Sequence, residues 1–244
     1  MTLDQDNLYA TNNVFKKLYI EAEQNNLDLL GFSTIRTGVE IKDFNKSNFA
    51  NHFETKLIKK PFIKKRFLYF YKNMVSATNL VLYFIKTYLF LNAIKQLGEE
   101  FINRNIDSGS DTILMFILSR KAQRLKHSKN IYYILLNWPG EFKKSLKFQN
   151  YIKYRDREKK LCYSYLTFAE VLILYTENDK RDKKIAEFNF LRYFIRNEKC
   201  QNQTDIIDDT IRISNLYLKD KYINLKAKEE ISLFLNQQNK YINS

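Results

Sequence analysis

Glycine, proline, cysteine and histidine are the scarce residues of this chain: five, two, two and two in 244. So few turn formers argue against an open β-protein with many tight turns. Gly31, Gly38, Gly98, Gly109 and Gly140 build neither a dinucleotide fingerprint nor a phosphate-cradling loop. His52 and His127 stand apart from one another and from any cysteine pair, so no metal site is expected. The adjacent acids Glu99-Glu100 and Asp208-Asp209 point about a hundred degrees apart on a helix, and they read as solvated faces rather than acid–base pairs. No catalytic residue, cofactor or small-molecule substrate emerges, and the chain reads as a non-enzyme.

Cys162 and Cys200 lie far apart without CxxC spacing. They are expected to be two buried or idle thiols of a reduced compartment. The first residues, MTLDQDNLYATNN, carry acids and no Arg, unlike a secretory signal or an Arg-rich transit peptide. An organellar location would mean that the protein is made there or seen after processing.

Long apolar runs are also few. Val75 to Ile94 has the length of a membrane span, but Lys86 sits centrally, at a cost of about 2.5–3.5 kcal/mol. A buried helix in a globular core or assembly is the expectation, and a membrane partner is not. Tyr163 to Tyr175 is interrupted by Glu170 and too short to span.

What the chain does have is positive charge and aromatic rings. Lys and Arg number 41 against 27 Asp and Glu, a net charge of +14, beside 17 Tyr and 19 Phe. An AT-rich genome would raise Lys, Asn, Ile, Phe and Tyr whatever the function, which weakens the aromatic signal. The charge is less easily explained so, because Asp and Glu do not rise in step. A polyanion such as RNA fits: ammonium groups displace condensed counterions, and aromatic faces stack on unpaired bases. The densest stretch is KKPFIKKRFLYFYK, residues 59–72. Its basic first half, with Lys64, Lys65 and Arg66, is the expected RNA contact, and its aromatic second half leads into a buried helix. Arg120, Lys121, Arg124 and Lys126 form a second basic cluster, expected at the end of a helix over 112–127. Further clusters lie at 143–147, 153–160 and 180–184.

Periodicity places a helix within Leu8 to Leu30, with Val14, Leu18 and Ala22 on one face and Gly31 as its terminator. Short alternation over Phe32 to Phe44 predicts one or two strands. The pattern from Lys64 to about Asn103 is helical, and a turn follows at 107–111. Beyond Trp138-Pro139-Gly140, helices are expected at about 141–175, 183–197, 205–221 and 226–239. The fold class is therefore mainly α, with a small α+β region over 1–105 and a helical extension over 106–244.

In the N-terminal part, a helix ending at Asn25-Asn26 precedes Gly31-Phe-Ser-Thr-Ile-Arg-Thr37, then Asn45-Lys46, then Phe53-Glu54-Thr55-Lys56. In this order the first hundred residues resemble the S-ten family of small-subunit ribosomal proteins, in an organellar form; nothing after about Asn105 does. The resemblance implies an α+β sandwich in the small subunit, architectural rather than catalytic. Lys42, Lys46, Lys56, Lys59 and Lys60 would meet ribosomal RNA, and the extension would cover RNA or neighbouring ribosomal proteins. The function expected is thus a structural constituent of a mitochondrial ribosome. The rivals are an accessory membrane-associated subunit of an energy-transducing complex and a DNA-binding replication protein.

Overall fold

The computed structural model describes residues 7–9, 12–37, 45–46, 56–65, 67, 80–102, 104, 110–136, 150–176, 178, 180–201 and 203–242. The expected turn at 107–109, Trp138-Pro139-Gly140 and the basic cluster 143–147 lie outside them. The fold is mainly helical with a small α+β region. It forms two compact units: 1–70, 74–103 and 114–149 in the first, and 71–73, 104–113 and 150–244 in the second. Residues 114–136 thus group with the N-terminal part rather than with the helices that follow residue 150.

The reason is a sheet that only distant segments can complete. It comprises β1 (Asn7–Tyr9), β2 (Leu29–Thr37), β3 (Asn45–Lys46), β4 (Ile58–Lys59), β5 (Tyr83–Ile85) and β6 (Arg124–Leu136). The two long strands, β2 and β6, run parallel from Leu29 opposite Leu125 to Thr37 opposite Leu136. Four short strands finish the outer edges, all antiparallel: β5 and β3 on β2, and β4 and β1 on β6.

Two of these strands fall where helices are expected. Tyr83–Ile85 lies inside the apolar run and pairs with Leu29–Gly31. Arg124 to His127, expected to finish a helix, begins β6 instead. Short apolar or β-branched runs do not tell a buried strand from a buried helix by period, and the distant partner decides. The apolar run is accordingly divided: a 3₁₀ turn at Leu80–Leu82, then β5, then α2 (Thr87–Ile102). Among the described residues no helix is long and apolar enough to cross a membrane.

The helix α1 (Val14–Gln24) follows its period, burying Val14, Leu18 and Ala22. It is not Gly31 that ends it. Asn26 takes the left-handed conformation (φ 45°), and Asn26 N–H and Leu27 N–H donate to the carbonyls of Glu23 and Ala22 at 3.0 and 2.9 Å. That paired closure is the Schellman arrangement, with asparagine in glycine's place. Gly31 is strand. Glycine's freedom is used at Gly98, whose φ of 79° breaks α2 near its C-terminal end. The helix α3 (Ser110–Lys121) buries Met115, Phe116, Ile117 and Leu118.

The second unit packs α4 (Asn150–Tyr175), α5 (Lys180–Phe190), a π-helical turn (Leu191–Ile195), α6 (Glu198–Gln201), α7 (Ile207–Lys219) and α8 (Leu225–Ile242). Buried positions recur at three and four residues: Thr210, Ile213, Ser214 and Tyr217 on α7, and Ala227, Ile231, Phe234 and Gln238 on α8. Asn224 caps α8, its side-chain oxygen accepting from Lys226 N–H at 2.9 Å. Tyr217 is fully buried against Phe190, ring centroids 4.4 Å apart, and its hydroxyl donates to the carbonyls of Ala169 and Ala186 at 2.8 and 3.3 Å. Burial raises that hydroxyl well above its ordinary titration range.

The cysteines correct the expectation of separate thiols. Cys162 on α4 and Cys200 on α6 form a disulfide across 38 residues. Their Cα atoms stand 5.3 Å apart because α5 and the π turn fold the chain back on α4. That return is not visible in the spacing.

Candidate functional site

The structure brings two sequence-distant basic clusters together on one edge of the first unit. Ile58 and Lys59 of β4 pair antiparallel with Leu125 and Arg124 of β6, so Lys59 lies directly opposite Arg124. Lys60 N–H then donates to Gln123 O at 3.1 Å, extending the junction past the ladder. Beyond Pro61, residues 62–65 make one helical turn. Ile63 and Phe67 are buried there, while Phe62 stays out. The anchoring of Ile63 and Phe67 aims Lys65 outward beside Phe62, its Nζ 5.3 Å from the ring centroid.

Asp28, which the sequence reading passed over, organises the opposite side of this junction. Its buried carboxylate accepts from Gln123 N–H at 2.7 Å and from Arg124 N–H at 3.2 Å. Its own N–H donates to Arg124 O at 3.0 Å, and its carbonyl accepts from Lys86 N–H at 3.0 Å. One residue therefore clips the start of β6, the turn after α1 and the entry to α2. Tyr88 donates to the same carboxylate at 3.2 Å, and Lys86 Nζ lies 3.8 Å from it. Partial burial, and then the Asp28 charge, raise the Tyr88 hydroxyl above its ordinary range. A residue placed just after a helix terminus and before an apolar strand was the signal that could have found Asp28.

The cations named from the sequence do not share one environment. Lys56, Lys59, Lys60 and Lys65 are exposed and Lys121 half-exposed, and among the described residues no carboxylate pairs with them. Others have internal work: Arg124 Nε donates to Asn25 O at 3.1 Å, Lys126 lies 3.4 Å from Glu21, and the Arg120 guanidinium sits over the Phe116 ring at 5.1 Å. Lys64 is half-buried. Lys46 belongs to β3, opposite Ile35. Lys42 and Arg66 lie outside the described residues.

Residues 56–65 and 120–126 contain no Asp or Glu. Among the described residues, the acids Asp28 and Glu21 near them are engaged by the contacts above and by Ser128, whose hydroxyl donates to Glu21 at 2.7 Å. Like charges directly opposite on an antiparallel pair oppose each other, and the Lys59–Arg124 pair carries that repulsion. Such an edge can bind an anion with many charges. Among the described residues no cluster of His, Cys, Asp and Glu suits a metal.

No family model matches the chain, and no curated protein matches it. Among solved structures it is similar to S. aureus TarS residues 1–349 in complex with UDP-GlcNAc, at 14% identity and a TM-score of 0.42, over 98% of this chain and 66% of that one. The chain thus spans slightly less than two thirds of that structure. TarS is a glycosyltransferase and not a ribosomal protein. The finding goes against both the ribosomal assignment and the reading of the chain as a non-enzyme, and both are withdrawn. At this TM-score the likeness transfers no activity to the chain.

Proposed function

We propose that the first unit binds RNA through phosphates, using the edge made by Lys59, Lys60, Lys65 and Lys121. The observation that carries this is the placement of Lys59 opposite Arg124. The pairing draws together two basic segments more than sixty residues apart, and no described carboxylate neutralises their exposed members. Phosphates at the edge would relieve the repulsion and release condensed counterions. The net charge of +14 adds long-range attraction.

The test is fluorescence anisotropy with labelled RNA across a salt series. The wild-type protein is expected to bind with a steep inverse dependence on salt. In a Lys59→Glu/Lys60→Glu variant the affinity falls across RNA sequences, and the log–log salt slope becomes shallower by about one per lysine. A Lys226→Glu/Lys228→Glu variant on α8 serves as the charge-matched control and retains the greater part of the binding. Equal losses in the two variants, or no binding by the wild type at low salt, would overturn the proposal.

A further inference from the structure

We infer that this edge takes an unpaired stretch of RNA, with the Phe62 ring as the platform for one base; the inference rests on the RNA-binding reading above. Phe62 is 61% exposed, although Ile63 beside it and Phe67 further along are fully buried. The local chain therefore has access to the core and sends two of its three apolar side chains there. Phe62 is held out by the same turn that buries its neighbours.

An isolated exposed apolar residue is ordinary on a protein surface. Among the described residues, those next to this one include several exposed cations. Lys65 Nζ lies 5.3 Å from its ring centroid, and exposed Lys59, Lys60 and Pro61 precede it. Lys59 in turn faces Arg124 across the β4–β6 ladder. An aromatic face and phosphate-binding cations thus fall on neighbouring residues, which matches the alternation of base and phosphate along a single strand. In an A-form duplex the base faces are covered by stacking, and a ring on the protein surface has nothing to meet. The combination selects unpaired over paired RNA.

The experiment compares a short oligouridylate with a blunt RNA duplex of equal length, using wild type, Phe62→Ala, Phe62→Trp and the Lys59→Glu/Lys60→Glu variant. Phe62→Ala is expected to weaken oligouridylate binding about tenfold, the usual scale of one base–aromatic stack, and to leave duplex binding unchanged. Phe62→Trp retains the affinity, and its fluorescence is quenched when the oligouridylate binds. Thermal melting confirms that the exposed substitutions leave the fold intact. If the lysine variant loses oligouridylate binding while Phe62→Ala keeps it, stacking is overturned and the RNA reading stands. If the lysine variant also binds like wild type, the RNA reading itself falls.

Discussion

Gly31 and His127 are opposite one another in the parallel β2–β6 pair, and the His127 imidazole fills the space that a Cβ at position 31 would occupy. The imidazole is 1% exposed and meets the ring of Tyr83 edge-on at 5.6 Å. Tyr83 is also Gly31's partner on the other side, in β5. Gly31 is thus the narrow point of the sheet, flanked by two large rings.

Gly31→Ala is therefore expected to destabilise the first unit by about 1–3 kcal/mol, the scale of overpacking a filled interior. Thermal or urea unfolding of the variant measures this. A double-mutant cycle with His127→Ala localises the cause: the Gly31→Ala cost should shrink when the imidazole is absent. Equal costs in both backgrounds would place the strain elsewhere.

Acid should weaken the second unit through Glu170. Its side chain is buried at the meeting of Arg104, 2.6 Å away, and Arg212, which donates to its other oxygen. Burial alone would raise this carboxyl, but the hydrogen bonds and charges of Arg212 and Arg104 outweigh it and hold it below the ordinary carboxylate range. A carboxyl lowered by folding stabilises the protein above its unfolded value. That contribution is lost as pH falls through the folded value. Glu170→Gln should cost about 3–5 kcal/mol near neutral pH, because a buried Arg104 loses its counter-charge. The same variant should flatten the acid limb of stability against pH. Urea titrations at several pH values, with an unchanged limb in the variant, would count against this role.

Reduction should loosen the second unit as well. The Cys162–Cys200 bridge closes 38 residues, for which loop-closure entropy gives about 4 kcal/mol. A lower melting temperature is expected in dithiothreitol, and a Cys162→Ala/Cys200→Ala variant should melt near the reduced wild type and ignore the reductant. A melting temperature indifferent to dithiothreitol in the wild type would contradict the bridge.

Several of these features were legible in advance, and the reason differs from element to element. Val14, Leu18 and Ala22 repeat at helical spacing, so the buried face of α1 could be read directly from the chain. The starts of α7 and α8 likewise fall within two residues of expectation. Tyr83–Ile85 and Arg124–His127 carry no such local mark. Tyr83–Ile85 and Leu125–His127 become strand by pairing with β2, from 52 or more residues away, and Arg124 by pairing with Lys59 of β4. Asp28 looked like one more acid, and its meaning lies in backbone N–H groups at Gln123 and Arg124.

By itself the amino-acid order determined a basic, mainly helical chain, the buried face of α1 and the identity of its cationic segments. Those properties are local, set by period, propensity and formal charge. Tertiary structure alone decided that Lys59 faces Arg124, that Phe62 remains outside while Ile63 is buried, that Cys162 reaches Cys200, and that Gly31 serves His127 rather than a helix end. Each of these depends on contacts between distant segments, where the partner's position rather than the residue's own preference selects the conformation.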